Sequence, residues 1–109
     1  MHLKARFFGL LFVRVKILAR VPERLRGMKL VSGKLLLWDS SISVFAKSIK
    51  QLDGGEVQLE FEISSMKLEY VTIGERFDIF LAVDEKQPRE GYTIRRWIPA
   101  YPLKVEILG

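Results

Sequence analysis

The 109-residue chain contains no cysteine. That removes disulfides, thiolate nucleophiles and zinc–thiolate sites together. It fits a reducing compartment without requiring one. Histidine is nearly absent too: the single one is His2, and a Ser–His–Asp or Cys–His arrangement would have to be built on it. No Gly-x-x-x-x-Gly-Lys, Gly-x-Gly-x-x-Gly or His-Glu-x-x-His run occurs, so the common phosphate, dinucleotide and zinc-hydrolase motifs are missing. The expectation is a non-enzyme with no catalytic residue, no metal ion and no cofactor.

Long apolar runs are also missing. The longest candidate, "FFGLLFV" at 7–13, falls far short of the roughly 20 residues that span a bilayer. Arg14, Lys16 and Arg20 follow it, where a signal peptide needs the small residues of a cleavage site. The reading is therefore no targeting segment, no membrane partner and a cytoplasmic location.

What is present supports one core. The apolar share is 49%, too high for disorder. The length fits a single domain over 1–109. A chain of this size buries about two-thirds of its unfolded surface. The net charge of +5 is unevenly spread. Residues 1–50 hold eleven Lys/Arg against Glu23 and Asp39, and residues 51–109 hold seven against eleven Asp/Glu. A basic first half suits an anionic partner, or it pairs with the acidic second half across one barrel.

Alternation of apolar and polar residues, the strand signal, runs through most of the chain. Leu3 to Ala19 alternate at odd positions, with Phe8, Leu10 and Phe12 adding apolar side chains on the second face. "RVPERLRGMK" interrupts the pattern. Pro22 suits the start of a short helical turn and Gly27 its end. "GKLLLW" (33–38) is apolar without alternation and reads as a buried strand. Ile42, Val44 and Ala46 alternate again, with Phe45 on the polar side. "LDGG" (52–55) marks a hairpin turn. Met66, Leu68 and Tyr70 suggest a short strand. Phe77, Ile79, Leu81 and Val83 alternate with Arg76, Asp78, Phe80 and Ala82. "DEKQPREG" (84–91) reads as a polar loop. "YTIRRWI" (92–98) and "LKVEIL" (103–108) read as two strands separated by "PAYP". Six to seven short strands with turns between them predict an all-β fold, a single small antiparallel β-barrel with little helix.

"GEVQLEFEI" (55–63) is the clearest strand. Val57, Leu59, Phe61 and Ile63 alternate with Glu56, Gln58, Glu60 and Glu62. A catalytic or metal-binding pair needs convergent partners. Neighbours two apart on one strand face only share a direction. The glutamates therefore read as a solvated face, and Val57, Leu59, Phe61, Ile63, Phe77, Ile79, Val105 and Ile107 as core.

Three functional readings follow. The leading one is a protein-interaction module, through a partner or self-association, because apolar residues lie on both strand faces at Phe8, Leu10 and Phe12. The second is nucleic-acid binding. Its candidate anion contacts are Arg14, Lys16, Arg20, Arg24 and Arg26, with Arg95, Arg96 and Trp97 of "RRWIPAY" able to hold phosphate and stack a base. The alternative for Trp97 is a place in the core or capping a barrel end. The third starts from Arg20 and Arg24, an R-x-x-x-R, followed by Asp39-Ser40-Ser41, a D-x-S. This is similar to the start of PilZ domains, small barrels that bind cyclic di-GMP. That family continues to a glycine where this chain has Val44. No other small-molecule ligand is expected.

Residues 55–109 carry a second resemblance. Gly55-Glu56 opens an alternating strand that ends at Glu62-Ile63. Gly74-Glu75-Arg76-Phe77-Asp78-Ile79 follows, and the chain closes on Ile107-Leu108. This resembles the C-terminal β-barrel of elongation factor Tu and its stand-alone bacterial relatives, with "LKARF" (3–7) as the opening strand. The family's Arg-Glu-Gly-Gly-Arg run is replaced here by "LAVDEKQPREG", and its Gly-x-Gly is absent from "YTIRRW". The resemblance implies a six-stranded barrel and no functional residues. The parent domain contacts transfer RNA and packs on a GTPase neighbour.

Overall fold

The computed structural model describes residues 2–3, 12–38, 41–64 and 75–108. Phe8, Leu10, Asp39, Ser40, Met66, Leu68, Tyr70 and Gly74, together with the side chain of Phe12, lie outside them. Among the described residues the strands are β1 (His2–Leu3), β2 (Phe12–Arg20), β3 (Ser32–Leu37), β4 (Ile42–Phe45), β5 (Ser48–Leu52), β6 (Glu56–Ser64), β7 (Glu75–Lys86) and β8 (Thr93–Ile107). All pairings are antiparallel. The single helical piece is a 3-10 turn at Glu23–Leu25, and no helix among them is long and apolar enough to cross a membrane.

The sheet order is β4-β3-β7-β8-β2-β6-β5, with β1 on β7. Its two ends belong to one bent stretch of chain. The Ala46 amide donates to the Gly33 carbonyl at 2.7 Å, and the next amide, Lys47, donates to Glu60 at 2.7 Å. Residues 42–45 therefore pair with β3 and residues 48–52 with β6, which curls the sheet into a small antiparallel barrel. Gly33 makes this closure possible. It is buried, and a Cβ placed there would sit 2.9 Å from Leu59 Cδ2 and 3.3 Å from Ala46 Cβ.

The core follows the period of two. Val13, Val15, Ile17 and Ala19 of β2 face Val57, Leu59, Phe61 and Ile63 of β6, all at 0–1% exposure. Phe77, Ile79, Leu81 and Val83 of β7 complete it, while Val105 and Ile107 pack against it half-buried. Glu60 and Glu62 point outward, where Glu62 accepts from Lys47 at 2.9 Å. The 3-10 turn tucks buried Leu25 under the chain. Pro22 precedes it and Gly27 leaves it with φ +79°. Gly54 and Gly55, with φ near +79° and +78°, form the β5–β6 turn. Positive φ at this turn is the glycine conformation that "LDGG" requires.

Two expectations change. β3 is not covered on both faces: Gly33, Leu35 and Leu37 are buried, whereas Ser32, Lys34 and Leu36 face outward. And "PAYP" does not divide two strands, because β8 runs unbroken for 15 residues. The ladder explains it. The Val31 amide donates to the Ala82 carbonyl and the Trp38 amide to that of Arg76, so the even residues of β7 face β3. Their partners on β8, Arg95, Trp97 and Pro99, turn their amide edges away from β7. Pro99 thus lacks an N–H where β7 does not ask for one. Pro102 lies opposite Ala19, next to the register shift between Leu18 and Ala19, an irregularity that lets the long strand bend from one wall to the next.

Phe61→Ala opens a core cavity and should cost roughly 3–5 kcal/mol in urea melts. Glu60→Gln and Glu62→Gln should each cost at most about 1 kcal/mol, as outward-facing charges. A Phe61 variant as stable as wild type would show that the faces are reversed. Gly33→Ala should cost about 1–3 kcal/mol by overpacking the closure. An unchanged melt for that variant would mean the corner has room to spare.

Candidate functional site

The outer face of the β4–β3–β7–β8 wall carries a cluster of aromatic rings, Phe45 exposed and Phe80 and Trp97 half-buried. Register places Phe45, Lys34, Phe80 and Pro99 in one row across the four strands. Trp97 lies one step along β8, opposite Ala82. Its ring reaches back across the wall to Phe45, with centroids 5.7 Å apart and planes tilted by 44°. The Lys34 ammonium sits under this bridge, 4.8 Å from the Trp97 ring centre and 5.2 Å from that of Phe80. Cation–π attraction holds it there. Ala82 is fully buried although it points outward, which is the consequence of the cover above it. Phe45 is nonetheless 63% exposed and Tyr101, further along β8, 69%.

Along β7 the same face is polar and self-neutralising. Trp38 Nε1–H donates to Asp78 Oδ2 at 2.6 Å, and Arg76 lies over the Trp38 ring and 3.8 Å from Asp78. Beyond Trp97, Arg95 donates twice to Asp84, at 2.9 and 3.3 Å. That guanidinium holds the Asp84 carboxyl below the usual range and has its own pKa raised in return. Lys34 has no ion-pair partner among the described residues.

The anion contacts read from the sequence do not gather into one site. Arg14, Lys16 and Arg20 share the outer face of β2, but register sets them opposite Glu62, Glu60 and Glu56 of β6, and Lys16 also opposite Glu106 of β8. Opposite charges directly across a sheet attract, so this basic row meets carboxylates on the β6 side and, at Lys16, on both sides. "RRW" is split by the period of two. Arg95 and Trp97 share the outer face, whereas Arg96 points to the other face and bonds Glu85 at 3.1 Å. Trp97 is neither core nor an end cap but a half-buried part of the outer wall.

Arg24 and Arg26 sit in the segment between β2 and β3. Arg26 packs on Gly55, beside a cleft of about 170 Å³ lined by Val21, Leu25, Gln51 and Glu56. The turn that holds Trp38 and Ser41 begins at the opposite end of β3, about 20 Å along six strand residues. Asp39 lies outside the described residues. No group of three His, Cys, Asp or Glu able to hold a metal ion occurs among the described residues.

Lys34, Phe45 and Phe80 were not among the residues singled out. The two phenylalanines had a signal, since each occupies the polar side of its alternation. Lys34 had none, because its neighbours are three leucines in a row. Comparison with protein-family models, curated proteins and solved structures gave no match for this chain.

The Asp84–Arg95 pair makes a pH prediction. A depressed carboxyl contributes stability that is complete above the ordinary carboxylate pKa and is lost as pH falls through the lower folded value. Carbon-detected titration should place the Asp84 midpoint below the ordinary value of about 3.9. Arg95→Gln should move it back up. An unshifted midpoint in the wild type would mean the two groups do not meet in solution.

Proposed function

We propose that this chain is a non-catalytic protein-interaction module whose docking face is the Phe45–Lys34–Phe80–Trp97 wall. The observation that carries the reading is the position of Lys34 against the half-buried rings of Phe80 and Trp97, with exposed Phe45 beside them. Aromatic side chains on a rigid sheet offer large contact area at small entropy cost, and rings of this kind dominate binding energy in protein interfaces. Lys34, with no ion-pair partner among the described residues, gives the ring cluster a positive centre. The single His2 and the lack of cysteine support a non-catalytic role. The resemblance of residues 55–109 to the C-terminal barrel of elongation factor Tu, a domain that packs on a protein neighbour, belongs to the same proposal.

Nucleic-acid binding is the second reading, because the same rings suit base stacking. The charges argue against it. A phosphate backbone needs several cations, and here Asp78 and Asp84 flank Lys34 on the wall while the basic row of β2 faces glutamates. The cyclic dinucleotide reading, through Arg20 and Arg24, has the least support, since Arg24 precedes the start of β3 whereas Trp38, next to Asp39 in the sequence, follows its end.

Photo-crosslinking from inside cells separates these. A photoreactive amino acid at position 45 should give discrete protein adducts, and the same group at Lys104, on the β2 side of β8, should not. Adducts to RNA from position 45 would transfer the proposal to the second reading. No adduct, or the same adducts from both positions, would remove the docking face.

A further inference from the structure

Among the described residues, the edge of β8 beside this wall is bare. β2 pairs with β8 only from Tyr101 to Ile107, and β7 covers the opposite edge from Thr93 to Ala100. Among the described residues nothing pairs with the second edge of residues 93–99. β3 likewise stops opposite Ala82, so residues 83–86 and 93–96 continue as a two-stranded ribbon. Such a ribbon is marginal in water, and a third strand stabilises it. The Asp84–Arg95 and Glu85–Arg96 pairs, one on each face, staple it meanwhile. The ladder parity fixes which groups are bare. Because the even residues of β7 face β3, the amides and carbonyls of Arg95 and Trp97 point outward along the bare edge. The Trp97 ring leans the other way, over the wall, and leaves that edge uncovered.

We infer that this edge receives an extended segment of a partner protein as an added antiparallel strand, a segment that alternates apolar with acidic side chains. The inference deepens the docking role proposed above and rests on it, since Trp97 serves both: its ring belongs to the wall and its amide to the edge. Strand addition draws affinity from main-chain hydrogen bonds and specificity from alternate side chains. The acidic half of the pattern follows from charge. Acidic residues on the outer face meet Arg95, which remains more than half exposed despite Asp84, apolar residues on the other face meet Ile94 and Ile98, and opposite charges across neighbouring strands attract.

In the registers centred on Arg95, Arg96 and Trp97 the same residues disfavour a second copy. In a two-fold ribbon centred on Arg95, that arginine meets itself. Centred on Arg96, the two Arg96 side chains meet. Centred on Trp97, Arg95 faces Pro99, which has no N–H to return. Like charges opposite one another and proline on an edge are both devices that blunt self-pairing.

The test uses the full chain as bait for a displayed library of random nonapeptides, followed by amide exchange with the selected peptides. The expected selection alternates apolar and acidic residues. Bound peptide should slow exchange of the Arg95 and Trp97 amides by about tenfold or more. The Ile94, Arg96 and Ile98 amides, already turned to β7, should be slow throughout. Arg95→Gln, which keeps the amide, should weaken binding, and Arg95→Pro should abolish it. Peptides that shift Phe45, Phe80 and Trp97 ring signals but leave both amides unprotected would overturn strand addition and spare the docking face. No enrichment of any sequence would overturn both. Dimerisation of the chain through protected Arg95 and Trp97 amides would also overturn the inference, by naming a second copy as the occupant.

Discussion

The whole architecture depends on one close approach, at Gly33. Two neighbouring amides, Ala46 and Lys47, donate in opposite directions, one to β3 and one to β6. A strand that serves two walls must pass almost against the backbone of the first. Any side chain on residue 33 would meet Leu59 and Ala46. With glycine there, a flat seven-strand path becomes a curled one with a single interior. Leu59 then fills the corner from β6, and the alternating residues of β2, β6 and β7 acquire a common core to face.

Once that corner is closed, the outer face of the β4–β3–β7–β8 wall is determined. Curling sends Gly33, Leu35 and Leu37 inward, so Lys34 must point out, and pairing in register brings Phe45 and Phe80 to its sides. The rings are thus not a failed core but the counterpart of a satisfied one. Long β8 supplies Trp97 to the same face from residues 93–99, which overhang the end of β2 before β8 pairs with it at Tyr101, so the ring cluster and the unpaired backbone edge lie side by side. The charge arrangement sharpens the contrast between surfaces. On β2 each cation meets a carboxylate across the ladder, and on the ribbon Arg95 and Arg96 meet Asp84 and Glu85. Lys34 is held by rings instead.

Much of this was legible in the sequence where one local rule decided the outcome. The alternation of 56–63 gave the inward set and the outward glutamates, and "LDGG" and "VPERLRG" gave turns at the right places. Reading failed where the outcome depends on a partner strand. Two prolines looked like a break in the last strand, yet a missing N–H matters only if the ladder calls on it, and that parity is invisible without β7. Three consecutive leucines hid the alternation of β3. For the site, Arg95 and Arg96 proved to be ion-paired and Arg14 and Arg20 to lie in register with glutamates, because charge in a list of residues carries no information about what lies across the sheet. The better signal was an aromatic residue on the polar side of an alternating strand, as at Phe45 and Phe80. Lys34 became visible only through the rings around it.

The account stands or falls on whether those rings lie on the outside around Lys34. Proton nuclear magnetic resonance of the free chain reads this directly. With Lys34 Nζ held 4.8 and 5.2 Å from two ring centres, the adjoining ε-methylene should resonate upfield of every other lysine, and the Trp97 indole should show contacts to Phe45 and Lys34. Lysine ε-methylenes with a common, unshifted resonance, or Trp97 contacts to Ile79 and Leu81 of the interior, would contradict it.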